Sequence, residues 1–150
     1  MITKFDELDN LASKAITYVI GTFDILHAGH IHFLEQAKAA GENHKLLVGI
    51  IPDAIVRESK GAERPFIHQD ERATIIDALK VVDYVFIAPE LPVGEVSRKV
   101  VDTAHPEYSA VSRDDWGKRG AAPEFAGTKL LLIDKIPDRS TTKIVQKIRK

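Results

Sequence analysis

Five short apolar runs alternate with segments whose apolar residues recur at helical spacing, and this alternation spans nearly all of the 150-residue chain. Residues 16–20 (ITYVI) are β-branched and aromatic and stop at Gly21, so they read as a buried strand. Residues 45–51 (KLLVGII) lack polar alternation, as expected of a strand covered on both faces. Residues 84–87, 108–111 and 129–133 (KLLLI) complete the set. In the first interval Ile31, Phe33, Leu34, Ala37 and Ala40 follow helical spacing and end at Gly41. Further helices are expected over 70–80, with Ile75, Ile76 and Leu79 inward, over 93–104, and over 140–150, burying Ile144, Val145 and Ile148. A short helix capped by Thr3 is expected to run from Phe5 to Lys14. Residues 52–65 are expected to form a mobile loop, and 113–127, rich in Gly, Ala and Pro, a loop with one helical turn. Such alternation predicts an α/β fold, a doubly wound five-stranded parallel sheet in one domain over 1–150, with 1–15 as an N-terminal helical extension. Sheets of this kind take ligands beyond the carboxyl ends of their strands, where strand order reverses.

Composition narrows the chemistry. The chain has no cysteine, which excludes a disulfide scaffold, a thiolate nucleophile and Cys-ligated zinc or iron–sulfur sites. The 21 Lys and Arg nearly balance 22 Asp and Glu, so broad attraction to nucleic acid or an anionic membrane is not expected. No apolar run approaches the roughly 18 residues of a spanning helix, and the opening MITKFDELDN is acidic where a signal peptide starts basic. The expectation is a soluble, cytoplasmic protein without nucleic-acid or membrane partners.

The densest chemistry follows the first strand, in Gly21-Thr22-Phe23-Asp24-Ile25-Leu26-His27-Ala28-Gly29-His30. Gly21 lets the backbone turn and approach a ligand closely. A helix starting near Gly29 aims unpaired N–H groups and partial positive charge at whatever sits above the strand. His27 and His30 can both face that position and donate hydrogen bonds to phosphate oxygens, becoming cationic when an anion binds. A His-x-x-His pair could instead hold a metal, with His32 as a third ligand, but His32 lies on another helix face and no carboxylate completes a set. Neither G-x-x-x-x-G-K-[ST] nor G-x-G-x-x-G occurs, so the signatures of P-loop kinases and dinucleotide dehydrogenases are missing.

GTFDILHAGH resembles the HxGH signature of the cytidylyltransferase-like nucleotidyltransferase superfamily. Two further segments match in order: Lys60-Gly61-Ala62-Glu63-Arg64-Pro65 with Glu71-Arg72, like the family's phosphate-binding loop and following helix, and Ser140-Thr141-Thr142, like its STT motif. The resemblance spans 17–148 and implies a Rossmann-like sheet of the HUP nucleotidylyl transferase type. It also implies attack on the α-phosphorus of a nucleoside triphosphate by a phosphorylated acceptor, with pyrophosphate leaving and no covalent enzyme intermediate. Catalysis is then positioning and charge stabilisation. By resemblance, His27, His30 and Lys60 are the catalytic groups. Thr22 and Phe23 supply backbone contacts to phosphate, and Ser140, Thr141 and Thr142 bind the β- and γ-oxygens.

Locally, Lys60 reads equally as a solvated loop lysine and Ser140 as a plain N-cap. Arg72 pairs with a carboxylate or reaches phosphate, the structural role being favoured. Asp24 orients a histidine or the loop backbone, and Lys45 is a weaker candidate that merely precedes its strand. The family implies Mg2+ accompanying the triphosphate, no protein-held metal, and a homodimer.

The nucleotide is less constrained. FDILHAGH, KGAERP and ERATIIDALKVVDYV resemble the adenylyltransferase half of bacterial ADP-heptose synthase, which joins AMP to a sugar 1-phosphate. Asp114-Asp115-Trp116-Gly117-Lys118 resembles a stretch of glycerol-3-phosphate cytidylyltransferase, although its RTxGI lead-in to STT is replaced by Ile136-Pro137-Asp138-Arg139. Archaeal-type FAD synthase shares GTFDILH. Adenylyl transfer to a sugar-phosphate-like acceptor is the favoured reading, with a nucleotide-sensing domain as the non-enzymatic alternative. Ser112, Arg113, Asp115 and Trp116 are the candidate base or acceptor contacts, in a stretch where Ser112-Arg113 departs from the glycine-containing pattern of both relatives.

Overall fold

The computed structural model describes residues 1–12, 14–116 and 123–150. Strands Ile16–Gly21 (β1), Lys45–Ile50 (β2), Tyr84–Ile87 (β3), Tyr108–Ser112 (β4) and Lys129–Ile133 (β5) form one sheet in the order β3-β2-β1-β4-β5. Every neighbouring pair is parallel. The chain steps outward from β1 through β2 to β3, then returns to the other side of β1 for β4. Strand order therefore reverses between β1 and β4, the doubly wound arrangement expected from the alternation.

Helices cover both faces: Ala28–Lys38 (α1), Asp53–Lys60 (α2), Gln69–Asp77 (α3), Val93–Ala104 (α4), Arg113–Trp116 (α5) and Thr141–Ile148 (α6). The two-residue period of the strands sorts their side chains between two cores. Val19, Leu46, Val48 and Ile50 meet Leu34 and Ala37 of α1 and Ala73 and Ile76 of α3. Ile16, Tyr18 and Leu47 meet Val96, Val100 and Ala104 of α4, with Leu8 and Leu11 from the N-terminal segment. Among the described residues no helix is long and apolar enough to cross a membrane.

Five local expectations are corrected. Thr3 is not a helix cap: its N–H bonds to the Val85 carbonyl at 2.7 Å, and Ile2 bridges Val85, so this segment lies along the β3 edge. The turn after it is a 3-10 helix, Phe5–Leu11, which ends before Lys14. The expected loop over 52–65 contains α2, whose buried Val56 anchors it, with Asp53 in the first turn and Arg57 and Lys60 in the last matching the helix dipole. In α3 the inward positions are Arg72, Ala73 and Ile76, so Ile75 faces solvent. Helix α6 fully buries none of its residues, and Ile148 is 74% exposed, because α6 packs beside the 60–66 segment and the β1–α1 turn instead of lying flat on a sheet face.

Candidate active site

The turn leaving β1 is shaped by close contacts. A Cβ on Gly21 would come within 2.9 Å of the Phe23 ring, so only glycine lets that ring fold back. Phe23 is buried and takes a left-handed φ of 50°, strained for a bulky residue, which swings the chain toward α1. Its ring meets His30 edge-on at 5.5 Å between centroids. Gly29 is equally constrained: a Cβ there would lie 2.8 Å from His27 Cε1 and 3.1 Å from Arg139 Cβ.

The two histidines form a reciprocal cap on α1. The Gly29 N–H donates to His27 Nδ1 at 3.0 Å, and the His27 N–H donates to His30 Nδ1 at 3.2 Å. The rings stack with centroids 3.8 Å apart. Because each Nδ1 accepts a backbone N–H, the neutral rings carry their protons on Nε2. No described residue pairs with either Nε2. Burial lowers the pKa of His30 to about 4, helped by His27, Lys60 and Lys135 and opposed by Asp24. Burial and Arg139 lower that of His27. At neutral pH the site therefore offers two adjacent neutral N–H donors with cations around them.

Asp24 ties a second segment to this turn. Its carboxylate, 2% exposed, accepts from Arg64 Nε at 2.9 Å and from the Phe66 and Ile67 N–H groups at 3.0 Å. The structure thus gives Asp24 the loop backbone, not a histidine. Lys60 ends α2 at the mouth of the same segment and does not sit on a mobile loop. Its pKa is lowered by desolvation and by Arg64. A cleft of about 340 Å³ opens beside it, walled by Arg64 and Phe66 on one side and Thr142, Val145 and Arg149 on the other.

Arg72 takes the structural role favoured for it and not the phosphate contact, since it lies wholly inside. It donates to the carbonyls of Ile67, Thr22 and Ile51 and to Asp53 Oδ1, at 2.7 Å for the last. Four of its five N–H donors are spent on the protein, so it braces the turn, and Thr22 meets it through its backbone carbonyl. Ser140 Oγ caps α6 by accepting the Lys143 N–H at 3.2 Å, which leaves its own hydrogen free to donate. Thr141 Oγ1 donates to the Ile25 carbonyl at 3.2 Å, pinning the start of α6 to the β1–α1 turn. Thr142 is exposed and faces the cleft.

The base or acceptor candidates are occupied within the fold. Ser112 and Asp115 form a local cap, with Ser112 Oγ donating to Asp115 Oδ2 at 2.7 Å. Asp115 also meets Lys135 at 3.4 Å, and Arg113 pairs with Asp134 at 2.8 Å. Trp116 packs on Phe125 in the second core. Gly117 and Lys118, part of the DDWGK resemblance, lie outside the described residues. Lys45 starts β2 and pairs with Asp83, at the amino end of a parallel sheet and so opposite the site. His32 lines a separate small cleft with Gln36 and Asp134. Among the described residues, no three His, Asp or Glu side chains converge as metal ligands.

Lys135 and Arg139 were absent from the sequence-derived candidates, yet their charges act on the histidine pair. The signal for Lys135 was its place just beyond the end of β5. For Arg139 it was its place directly before the α6 cap.

A family model described as cytidylyltransferase-like matches residues 18–119. The bifunctional protein HldE of Geotalea uraniireducens is 35% identical over 158 residues, covering 97% of this chain and 31% of that protein. Its counterpart from Campylobacter fetus subsp. fetus is 36% identical over 150 residues, covering 99% and 31%. The chain thus spans about a third of the length of these curated relatives. Among solved structures, the lipopolysaccharide core biosynthesis protein from Thermoplasma volcanium superposes with a TM-score of 0.63 at 25% identity, covering 83% of this chain and 99% of that one. Pantothenate synthetase from Thermus thermophilus, at 14% identity, shares the fold with a TM-score of 0.66 over 91% of this chain and 62% of its own.

Proposed function

The chain belongs to the cytidylyltransferase-like family of nucleotidyltransferases, and from that premise we propose that it transfers AMP from ATP to a phosphorylated small acceptor of the sugar 1-phosphate type, releasing pyrophosphate. The observation that carries this reading is the stacked pair of Nε2–H donors at the mouth of α1, where strand order reverses.

A phosphate oxygen of the acceptor attacks the α-phosphorus of ATP. A new P–O bond forms while the bond from the α-phosphorus to the α,β-bridging oxygen breaks, and that electron pair leaves with pyrophosphate. The protein needs no nucleophile and no base, since the attacking oxygen is already anionic. Its task is to hold charge that shifts toward the leaving oxygen, using donors fixed before the reaction starts. His27 and His30 supply N–H donors, Lys60 a cation beside the α-phosphate, and the start of α6 with Ser140 and Thr142 further donors for the β- and γ-oxygens. Approach of the tetra-anionic triphosphate opposes the pKa lowering of the histidines, so a proton can be taken up with it. Mg2+ enters as part of the substrate, held by phosphate oxygens and water. The nearest buried carboxylate, Asp24, is saturated by Arg64 and two backbone N–H groups, so no step runs through a protein-held ion.

Adenylyl transfer is favoured by the resemblance of FDILHAGH, KGAERP and ERATIIDALKVVDYV to an adenylyltransferase domain, together with the whole-chain similarity to the HldE proteins. The cleft beside Lys60 is large enough for a sugar phosphate and is lined by Arg64 and Arg149. On this reading the protein works in the cytoplasm, where the triphosphate is made, and as a homodimer, which sedimentation at assay concentration checks. The reaction itself is tested by incubating the protein and Mg2+ with ATP or CTP and a set of acceptors, while following pyrophosphate. The set includes sugar 1-phosphates, glycerol 3-phosphate and FMN. Release with ATP and a sugar 1-phosphate is the expected result. Release only with CTP and glycerol 3-phosphate, or only with ATP and FMN, replaces the substrate assignment. Tight nucleotide binding with no release in any mixture identifies a sensor.

A further inference from the structure

Three cations lie close enough to the histidine pair to act on it. Lys60 and Lys135 act on His30, and Arg139 acts on His27. Lys60 and Lys135 have Asp115 nearby. Arg139 differs: it is exposed, and it has no hydrogen-bond or ion-pair partner among the described residues. The carboxylate next to it, Asp138, hydrogen-bonds to Lys143 and meets Arg139 only through space.

Its position is nevertheless tightly set. Arg139 Cβ packs so closely against Gly29 that a methyl group there would approach it to 3.1 Å, and the same methyl would touch the His27 ring. Two residues on, the bond from Thr141 Oγ1 to the Ile25 carbonyl locks this segment to the turn that presents the histidines. An arginine on a free surface loop explores solvent, whereas this one stems from a fixed backbone beside two donors that have no partner among the described residues. Its planar guanidinium can take two phosphate oxygens in a fixed bidentate fork, a geometry a lysine ammonium does not offer.

We propose that Arg139 is a binding residue for the polyphosphate tail, gripping the terminal phosphates of the triphosphate and retaining the pyrophosphate formed when the α,β-bridging bond breaks. The assignment rests on the nucleotidyltransferase reading above and adds a cation outside its three sequence motifs.

Calorimetric titration of the full chain with inorganic tripolyphosphate, and separately with pyrophosphate, tests it. Arg139→Ala should weaken tripolyphosphate binding tenfold or more, with an unchanged circular dichroism spectrum and thermal midpoint, and Arg139→Lys should restore part of the loss. Lys129→Ala, which removes one positive charge at the opposite end of the sheet, should bind like wild type. In steady-state assays Arg139→Ala should raise the KM for ATP and weaken product inhibition by pyrophosphate. If wild type binds tripolyphosphate and Arg139→Ala binds it equally well, the Arg139 assignment is overturned while the reading of the site stands. Equal weakening in Arg139→Ala and Lys129→Ala also overturns it, because the effect is then bulk charge. Failure of wild type to bind tripolyphosphate, pyrophosphate or ATP overturns both.

Discussion

An imidazole whose Nδ1 accepts a backbone N–H has only Nε2–H to offer while it is neutral, so the α1 cap sets the protonation of His27 and His30 as well as their position. This has a measurable consequence in the free protein. The folded-state pKa of His30 is about 4, below the ordinary 6.5, so the unfolded chain takes up its proton first as pH falls. Stability from this group is complete above pH 6.5, declines between 6.5 and about 4, and then levels off. Wild type should lose on the order of 2–3 kcal/mol more than His30→Asn across that window, by urea denaturation. Asn is the right comparison because its side-chain oxygen can still accept the His27 N–H. Equal pH slopes for the two proteins would contradict the buried, neutral ring.

Between elements, two buried ionic centres tie together the loops above the sheet, alongside apolar anchors such as Phe23 and Val56. Asp24 fixes the segment after α2, and Arg72 joins the ends of β1 and β2 to the α2 and α3 segments through three carbonyls and Asp53. Arg72→Met should cost about 3–5 kcal/mol in urea denaturation, because it strands the Asp53 carboxylate and three carbonyls. Adding Asp53→Asn should recover part of that loss, and full stability in the single variant would contradict the clasp. These centres also explain where the sequence was legible. All five strands and α4 read from apolar runs and helical spacing, since each signal lies within one segment. Helix α2 did not, because its eight residues carry one fully buried apolar anchor, Val56, and a Gly–Pro-containing sequel that looks like loop. For Arg72 the structural role was legible but its partners were not, because they come from residues 5 to 50 positions away. In the site, the histidine turn read locally from adjacent glycines and imidazoles. Lys135 and Arg139 reach it because β5 packs against α1 and the start of α6 is pinned to the β1–α1 turn.

At the scale of the molecule, the parallel sheet has a polarity that separates stability from chemistry. All carboxyl ends point to the histidine turn. The amino ends carry a buried polar contact of their own, in which His44 meets Thr17 Oγ1 at 3.1 Å and Glu107 at 3.1 Å. Six strand residues, roughly 20 Å, lie between the two ends. His44→Ala should therefore lower stability by about 1–3 kcal/mol and leave kcat within about twofold of wild type, a margin of some 0.4 kcal/mol. A large fall in kcat with an intact fold would show that the ends are coupled. The central claim is that phosphate chemistry occurs at the imidazole pair, and it is tested most directly by pyrophosphate release from ATP and a phosphorylated acceptor. Wild type, His27→Ala and His30→Ala should be compared at matched concentration, with folding of each checked by urea denaturation. The account predicts a loss of at least about 10²-fold in kcat for each variant, and turnover at the wild-type rate by either folded variant would contradict it.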